Sequence, residues 1–267
     1  IEHDGDCVIN GGINADWDVT VKATGAITVT GSITSGGQVY LESQGGNLST
    51  DAITATSGAI YIYSAGDLTT GALDSDFETA LFPNGNLTIN GAATFAYGFT
   101  ADNSVGNVHI TGALTSKDQD YSYLIISAAG LGKTIVLDGN ITAPGYDVSL
   151  AASGNISTKT IDTHYASSYS STIRILANTS DSGSTPFVIG AGGSNGINGS
   201  VNATRGSGKT IFAVQNGGTG GIDVDGDVIQ IQSSSGPSGS LIFKAETGEV
   251  KIKGHLSVDG ASGQRAG

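Results

Sequence analysis

The chain repeats itself about every twenty residues, and a period of that length leaves few folds open. A motif G-x-φ-x-φ, with φ apolar, begins at Gly5, Gly25, Gly46, Gly66, Gly85 and Gly106, at spacings of 20, 21, 20, 19 and 21 residues. A second turn follows five or six residues later, at Gly11, Gly31, Asp51, Gly71, Gly91 and Gly112. A third alternating segment completes several units, with Val19 and Val21, then Val39 and Leu41, then Ile60 and Ile62. A fixed period of this kind means stacked units that bury a common core along one axis.

Within each strand alternate side chains take opposite faces. The period therefore predicts an inward stack of Cys7, Ile27, Leu48, Leu68, Leu87 and Val108. Val8, Thr28, Ser49, Thr69, Thr88 and His109 form the matching outward stack. Asn47, Asp67, Asn86 and Asn107 follow the repeat glycines, where such side chains suit a turn and can hydrogen-bond to the next coil. Glycine supplies 42 of 267 residues and proline four, and no long stretch carries apolar residues at helical spacing. The expected fold is all-β with almost no helix: a parallel β-solenoid of three-stranded coils of about twenty residues. One elongated rod spanning residues 1–267 is expected, with eleven or twelve coils at ~4.8 Å giving a length of ~55 Å. The repeat weakens near residues 117–123, 163–171 and 180–208, which read as loops or degraded coils projecting from the rod.

The segments GAITVTGSIT, GNLSTDAITATSGAIYIYSAGDLTTGAL and YDVSLAASGNIST resemble the β-solenoid passenger repeats of filamentous-haemagglutinin-type exoproteins of two-partner secretion. They are also similar to the passengers of large bacterial autotransporter adhesins. The resemblance covers most of residues 5–160 and returns at 220–260. It implies a secreted or surface-displayed bacterial rod used for adhesion or as a fibre. The secretion domain of two-partner systems carries an Asn-Pro-Asn-Gly turn, whereas this chain has Phe82, Pro83, Asn84 and Gly85. The likeness is therefore to passenger repeats and not to that domain.

The formal net charge is −13, and residues 1–116 hold twelve acids against Lys22 alone. Such a polyanion repels nucleic acid and anionic membrane surfaces, so neither nucleic-acid binding nor membrane insertion is expected. Cys7 lies in the inward stack and reads as a small buried hydrophobe. The chain contains no methionine, even at position 1, and reads as mature or as excised from something longer.

Several patterns imitate chemistry. Gly208, Lys209 and Thr210, and again Gly132, Lys133 and Thr134, resemble the end of a phosphate-binding loop. Ala203 and Ser127 occupy the place of the required earlier glycine, and strand-like text follows each. Asp223, Asp225 and Asp227 alternate as hard oxygen ligands for calcium would. Aligning Gly220 with Gly248 instead places them beside Lys251, Lys253 and His255, as a cross-coil charge ladder. His3, His109, His164 and His255 are scattered and suggest no triad. Asp74, Asp76 and Glu78 offer carboxylates for glycosidic chemistry, but no Lys or Arg neighbours them in sequence, and they read as solvated turn acids. Thr28–Thr30 and Thr54–Thr56 do not persist as a flat threonine ladder. No catalytic residue and no cofactor is expected, with calcium the one metal considered.

The expected function is structural or adhesive, with polysaccharide binding or degradation as the alternative. Tyr40, Tyr61 and Tyr63 form an outward patch suited to a sugar ring or a neighbouring rod. Tyr165 and Tyr169, with His164, sit in an interruption that can carry contacts. Glu2, Asp4 and Asp6 at the opening coil face the opposite charge of Lys251, Lys253 and His255 at the closing coil. That arrangement favours head-to-tail self-association. Partners are therefore the chain itself, neighbouring rods, glycans or a cell surface.

Overall fold

Alternation of apolar and polar residues with a superimposed twenty-residue period has one economical outcome. Each short strand pairs with its copy one coil away, and every coil turns its apolar side chains to a shared axis. In a computed structural model the chain forms three parallel sheets of eleven, twelve and eleven strands. The described residues are 1–117, 122–164, 171–180, 184–190, 193–205, 210–226, 229–233 and 239–259. Helix is absent among them. We call the sheet containing Cys7–Ile9, Ile27–Val29 and Leu48–Thr50 the first face. The second face contains Ile13–Ala15, Ile33–Ser35 and Ile53–Ala55. The third has longer strands, among them Val19–Ala23, Val39–Ser43, Ile60–Ser64, Glu78–Pro83, Gly98–Asn103 and Tyr123–Ala128. Eight successive three-stranded coils run from Cys7 to Ala177.

The expected register holds. Cys7 pairs with Ile27, Ile27 with Leu48, Leu48 with Leu68, Leu68 with Leu87, and Leu87 with Val108. All six are buried, as are Val19, Val21, Val39, Leu41, Ile60 and Ile62. Phe95, Phe99 and Tyr146 fill the middle of the rod, with Phe95 centroids 5.4 and 5.8 Å from the other two rings. Stacking of identical side chains removes each from water at both edges, the main favourable term in such an array.

The corners are built from polar side chains. Asn47 Oδ1 accepts Asp67 N at 2.9 Å, Asp67 Oδ1 accepts Asn86 N at 2.6 Å, and Asn86 Oδ1 accepts Asn107 N at 3.0 Å. Asn107 Oδ1 then accepts Thr134 N at 3.0 Å. At the inner end of the third-face strands, Ser43 Oγ donates to Gly46 O at 2.7 Å, and Asn103 Nδ2 to Gly85 O at 2.8 Å. Turn carbonyls that point into the rod thus find donors, which buried backbone requires.

The tract 180–208 departs from the sequence expectation. Instead of a simple loop it supplies three strands, Phe187–Ile189, Gly196–Ile197 and Val201–Arg205. Phe187–Ile189 lies between Gly196–Ile197 and Ile222–Val224, although it comes earlier in the chain than either. The chain runs one rung ahead and then returns to fill the gap, which is why the first face has an extra strand. Its cue is weak because these strands are two to five residues long among Gly and Ser. Of the other expected loops, 117–123 ends in the strand Tyr123–Ala128 and 163–171 runs into Ser171–Ala177; residues 118–121 and 165–170 lie outside the described set.

Candidate ligand surface on the third face and its corner

The register carries Thr20, Tyr40 and Tyr61 in one outward column and Lys22, Glu42, Tyr63 and Phe82 in the next. Tyr63 stacks on Phe82 with centroids 4.9 Å apart and planes 17° apart, and Tyr40 leans on Tyr63 at 5.6 Å. Lys22 Nζ sits 5.2 Å from the centre of the Tyr40 ring and 3.8 Å from Glu42. Tyr40 donates to Glu42 Oε2 at 3.0 Å, and Gln44 Nε2 to Glu42 Oε1 at 3.0 Å. Burial, then this bond, raises the Tyr40 pKa, while the bonds from Gln44 and Tyr40 hold Glu42 low. The rings press their faces on one another along the rod, so they offer edges to solvent. This column stiffens the sheet. Phe82, whose place in the column the sequence reading did not use, completes it.

The acids of the fourth coil require a correction. Asp74, Asp76 and Glu78 are not merely solvated, because Lys117 and Tyr123 reach them from two coils away. Lys117 Nζ pairs with Asp74 and lies 2.7 Å from Asp76. Thr94 Oγ1 adds a bond to Asp74 at 2.7 Å. Burial pushes the Asp74 carboxyl up, but Lys117 and Thr94 outweigh it and hold the group below its ordinary value. Glu78 accepts the Tyr61 hydroxyl, and at 2.8 Å the Tyr123 hydroxyl. The Glu78 bond is the main cause that pushes the Tyr61 phenol to about 12. Gly98 makes the reach possible: a Cβ there would fall 2.9 Å from the Tyr123 ring. Lys117 and Tyr123, flanking 118–121, thus tie this interruption to the fourth coil. Sequence distance hid the contact, since 41 residues separate Lys117 from Asp76.

The corner between the second and third faces holds a different arrangement. Trp17, the sole tryptophan, occupies this turn in the first coil and is 83% exposed. The next two coils place Gly36–Gly37 and Ser57–Gly58 there, and the following two place Phe77 and Tyr97. Glycine is forced at 36, where a Cβ would collide with the Asp16 backbone carbonyl of the coil below, and at 37 a Cβ would displace the Asp18 carboxylate. The result is a trough of about 320 Å³ bounded by Asp18, Gln38, Ser57, Ala59, Tyr61 and Phe77. Asp18 Oδ1 accepts Gln38 N at 2.7 Å, and Ser35 Oγ donates to Trp17 O at 2.6 Å, so the floor is braced. Phe77 and Tyr97 lean together at 5.1 Å, yet are 48% and 53% exposed. The signal that could have revealed it was one tryptophan between two aspartates, at a corner where later coils carry glycine.

The remaining candidates are placed as follows. Asp223 pairs in backbone register with Lys251, and Lys253 Nζ lies 2.9 Å from Asp225, so the register is that of the charge-ladder alignment and its Asp225–Lys253 rung closes as an ion pair. Asp227, Tyr165, Tyr169, Gly208 and Lys209 lie outside the described residues. Lys133 and Thr134 lead into the strand Ile135–Leu137, not into a helix that would hold a phosphate. His109 Nε2 meets Asp138 Oδ2 at 2.7 Å on the adjacent coil. Asp4 accepts Thr24 Oγ1 at 2.8 Å, Asp6 accepts Ala26 N at 2.8 Å, and Glu2 is exposed on the opening strand. Lys251 lies 3.5 Å from Glu249, and His255 is exposed beside it on the closing coil. Among the described residues no group of three or more His, Cys, Asp or Glu side chains is placed to hold a metal ion. No helix among them is long and apolar enough to cross a membrane. Known protein families, curated proteins and solved structures contain no match to this chain.

Proposed function

We propose that the chain is a segment of an extracellular structural and adhesive rod, of the passenger type that its repeats resemble. The observation that carries this reading is the parallel ladder of three sheets, which in its regular coils holds outward side chains at one fixed rung spacing on three faces. A scaffold of that kind suits multivalent presentation, because many weak contacts on one rigid body add through effective concentration. Secretion, attachment to a surface or to neighbouring rods, and independence from cofactors belong to the same proposal. So does end-to-end association through Glu2, Asp4 and Asp6 against Lys251, Lys253 and His255. The pairs Lys253–Asp225 and Lys251–Glu249 already take up part of that basic end, which makes this attraction weak.

A binding role is favoured over a cleaving one by the condition of the fourth-coil acids. Two share one lysine and the third is held by two phenols, whereas glycosidic cleavage needs one carboxyl free to donate a proton and another free to attack or to activate water. Electron microscopy together with adhesion of chain-coated beads tests the proposal. Rods of about eleven rungs, ~50 Å long, that tether beads to cell-surface material are expected. Compact particles with no tethering, or polysaccharide turnover abolished by Asp76→Ala, would overturn it.

A further inference from the structure

We propose that the corner trough bounded by Asp18, Gln38, Ser57, Tyr61 and Phe77, with Trp17 exposed on the turn of the first coil beyond it, binds a neutral, unbranched glycan lying along the rod. The inference rests on reading the chain as a binding rod and names the ligand of one site on it. Trp17 and the Phe77–Tyr97 pair stand three coils apart, ~14 Å at the strand spacing, with exposed aromatic surface at both ends. Between them the two glycine-bearing turns leave a floor that no large side chain covers. Aromatic rings at the ends take the apolar C–H faces of sugar rings. Asp18, Gln38 and Ser57 supply an acceptor, an amide and a hydroxyl in the middle, the few convergent polar groups that orient a ligand in a site walled by apolar surface. Asp18 is fixed by its bond from Gln38 N, so its second oxygen is presented without reorganisation.

Charge decides which glycan. Residues 1–116 carry twelve acids and a single lysine, Lys22, which is spent on Glu42 and Tyr40 in another column. Lys117, the cation that reaches the fourth coil beside Phe77, is spent on Asp74 and Asp76. A sulfated or uronic chain, an anionic lipid headgroup or a second copy of this acidic face would each be repelled. A neutral chain meets no such penalty, and its hydroxyls can donate to Asp18. The Tyr40, Tyr63 and Phe82 rings are less suited to the task, because Tyr63 stacks flat on Phe82. Tyr63 alone of the three is exposed, at 38% against 48% and 53% for Phe77 and Tyr97.

Trp17, as the sole tryptophan, reports directly on occupancy through its own fluorescence. Titration with neutral oligosaccharides of glucose, N-acetylglucosamine, mannose and galactose should shift its emission to the blue and shield it from acrylamide for at least one series. Chains of three or more rings should bind at least about tenfold more tightly than the monosaccharide. Phe77→Ala with Tyr97→Ala leaves the reporter in place and alters only exposed side chains. It should weaken binding about tenfold, with circular dichroism unchanged. Heparin and polygalacturonate should leave the emission where it is. The inference fails if no neutral series moves the emission, if the anionic chains move it more, or if the double variant binds as well as the parent. Rods that form and tether beads while Trp17 stays silent would sink this site and leave the rod reading standing.

Discussion

From Cys7 to Asp162 each strand pairs in chain order with its copy one coil away, whereas from Asn178 to Asp225 the same three faces are built by a different route. In the first region the first-face amides donate to backbone carbonyls one coil on. Leu48 N reaches Asp67 O at 2.8 Å, Leu87 N reaches Asn107 O at 2.8 Å, and Ile135 N reaches Asn155 O at 3.0 Å. At Ile156 the backbone partner is missing, and the Asn195 side chain supplies Oδ1 at 3.0 Å in its place. The amide Nδ2 of Asn216 donates to Gly221 O at 2.7 Å, and Asn178 Nδ2 donates to Asn216 Oδ1 at 2.8 Å. Asn178 itself adopts φ of +53°, a conformation asparagine tolerates better than most residues. Where the repeat is intact, the first-face strand-entry amides find backbone carbonyls. Where a strand is inserted out of order, buried amides splice it.

The comparison is most sharply broken in the regular region. Ile62 is fully buried between Leu41 and Leu81 of the neighbouring coils. Ile62→Ala should cost about 2–5 kcal/mol by urea denaturation, through lost burial and the cavity left behind. Because each coil touches chiefly its neighbours, amide exchange should quicken first from Val39 to Pro83. A loss below about 0.5 kcal/mol would show that the coil collapses around the gap.

The splice is tested by Asn195→Leu, which leaves the Ile156 amide without its acceptor. We expect a cost of about 1–3 kcal/mol and faster hydrogen exchange at Ile156. Exchange at Leu48 and Leu87 should not change. If Ile156 keeps its protection, the side chain does not bridge the gap as described.

A smaller effect is expected at the tie between the fourth coil and Lys117. Lys117→Met should cost about 0.2–1 kcal/mol at neutral pH, since the pair is partly open to solvent. Asp74 is held below its ordinary 3.8 in the fold. Its contribution is thus present above that pH and is lost as acidification carries the medium through the lowered folded value. Parent and variant stabilities should converge at acid pH, and parallel curves would remove Lys117 from the account.

The slightest change in stability and the clearest spectrum belong to Glu78→Gln. Tyr61 is pushed to about 12 in the fold from an ordinary 10.0. The contact therefore supports the fold fully below pH 10 and loses that support as pH rises towards 12. In the variant two tyrosinate steps, those of Tyr61 and Tyr123, should move down towards the ordinary range in ultraviolet difference titration. Tyr61 moves because Glu78 is the main cause of its shift, and Tyr123 because Glu78 adds to its burial. An unmoved step would mean that Glu78 does not set it.

The columns were legible from period alone. Cys7, Ile27 and Leu48 share one spacing and one face, and the turn residues Asn47, Asp67, Asn86 and Asn107 bond upward as their chemistry suggests. Tyr40, Tyr61 and Tyr63 were assigned to the correct columns for the same reason. Lys117 was not legible as a partner of Asp74, because its reach spans two coils and follows an interruption that breaks the count. Nor was the order of Phe187–Ile189 and Gly196–Ile197, since very short strands among glycine and serine fit more than one rung. Trp17 was passed over because a turn residue says nothing of what the next coil leaves bare.

The amino-acid sequence by itself determined a rod of three parallel faces, the residues that fill it and the register of its regular coils. It could do so because strand alternation and coil period are local rules, each written in residues at most a coil apart. The tertiary structure decided what happens where the count fails or where coils meet without pairing. Three examples are the rung that runs ahead at Phe187, the lysine that joins coils two apart, and the trough between Asp18 and Phe77. These depend on which backbone rises beside which, and a Cβ that fits at one corner collides at the next. Only the stacked coils, in three dimensions, settle that.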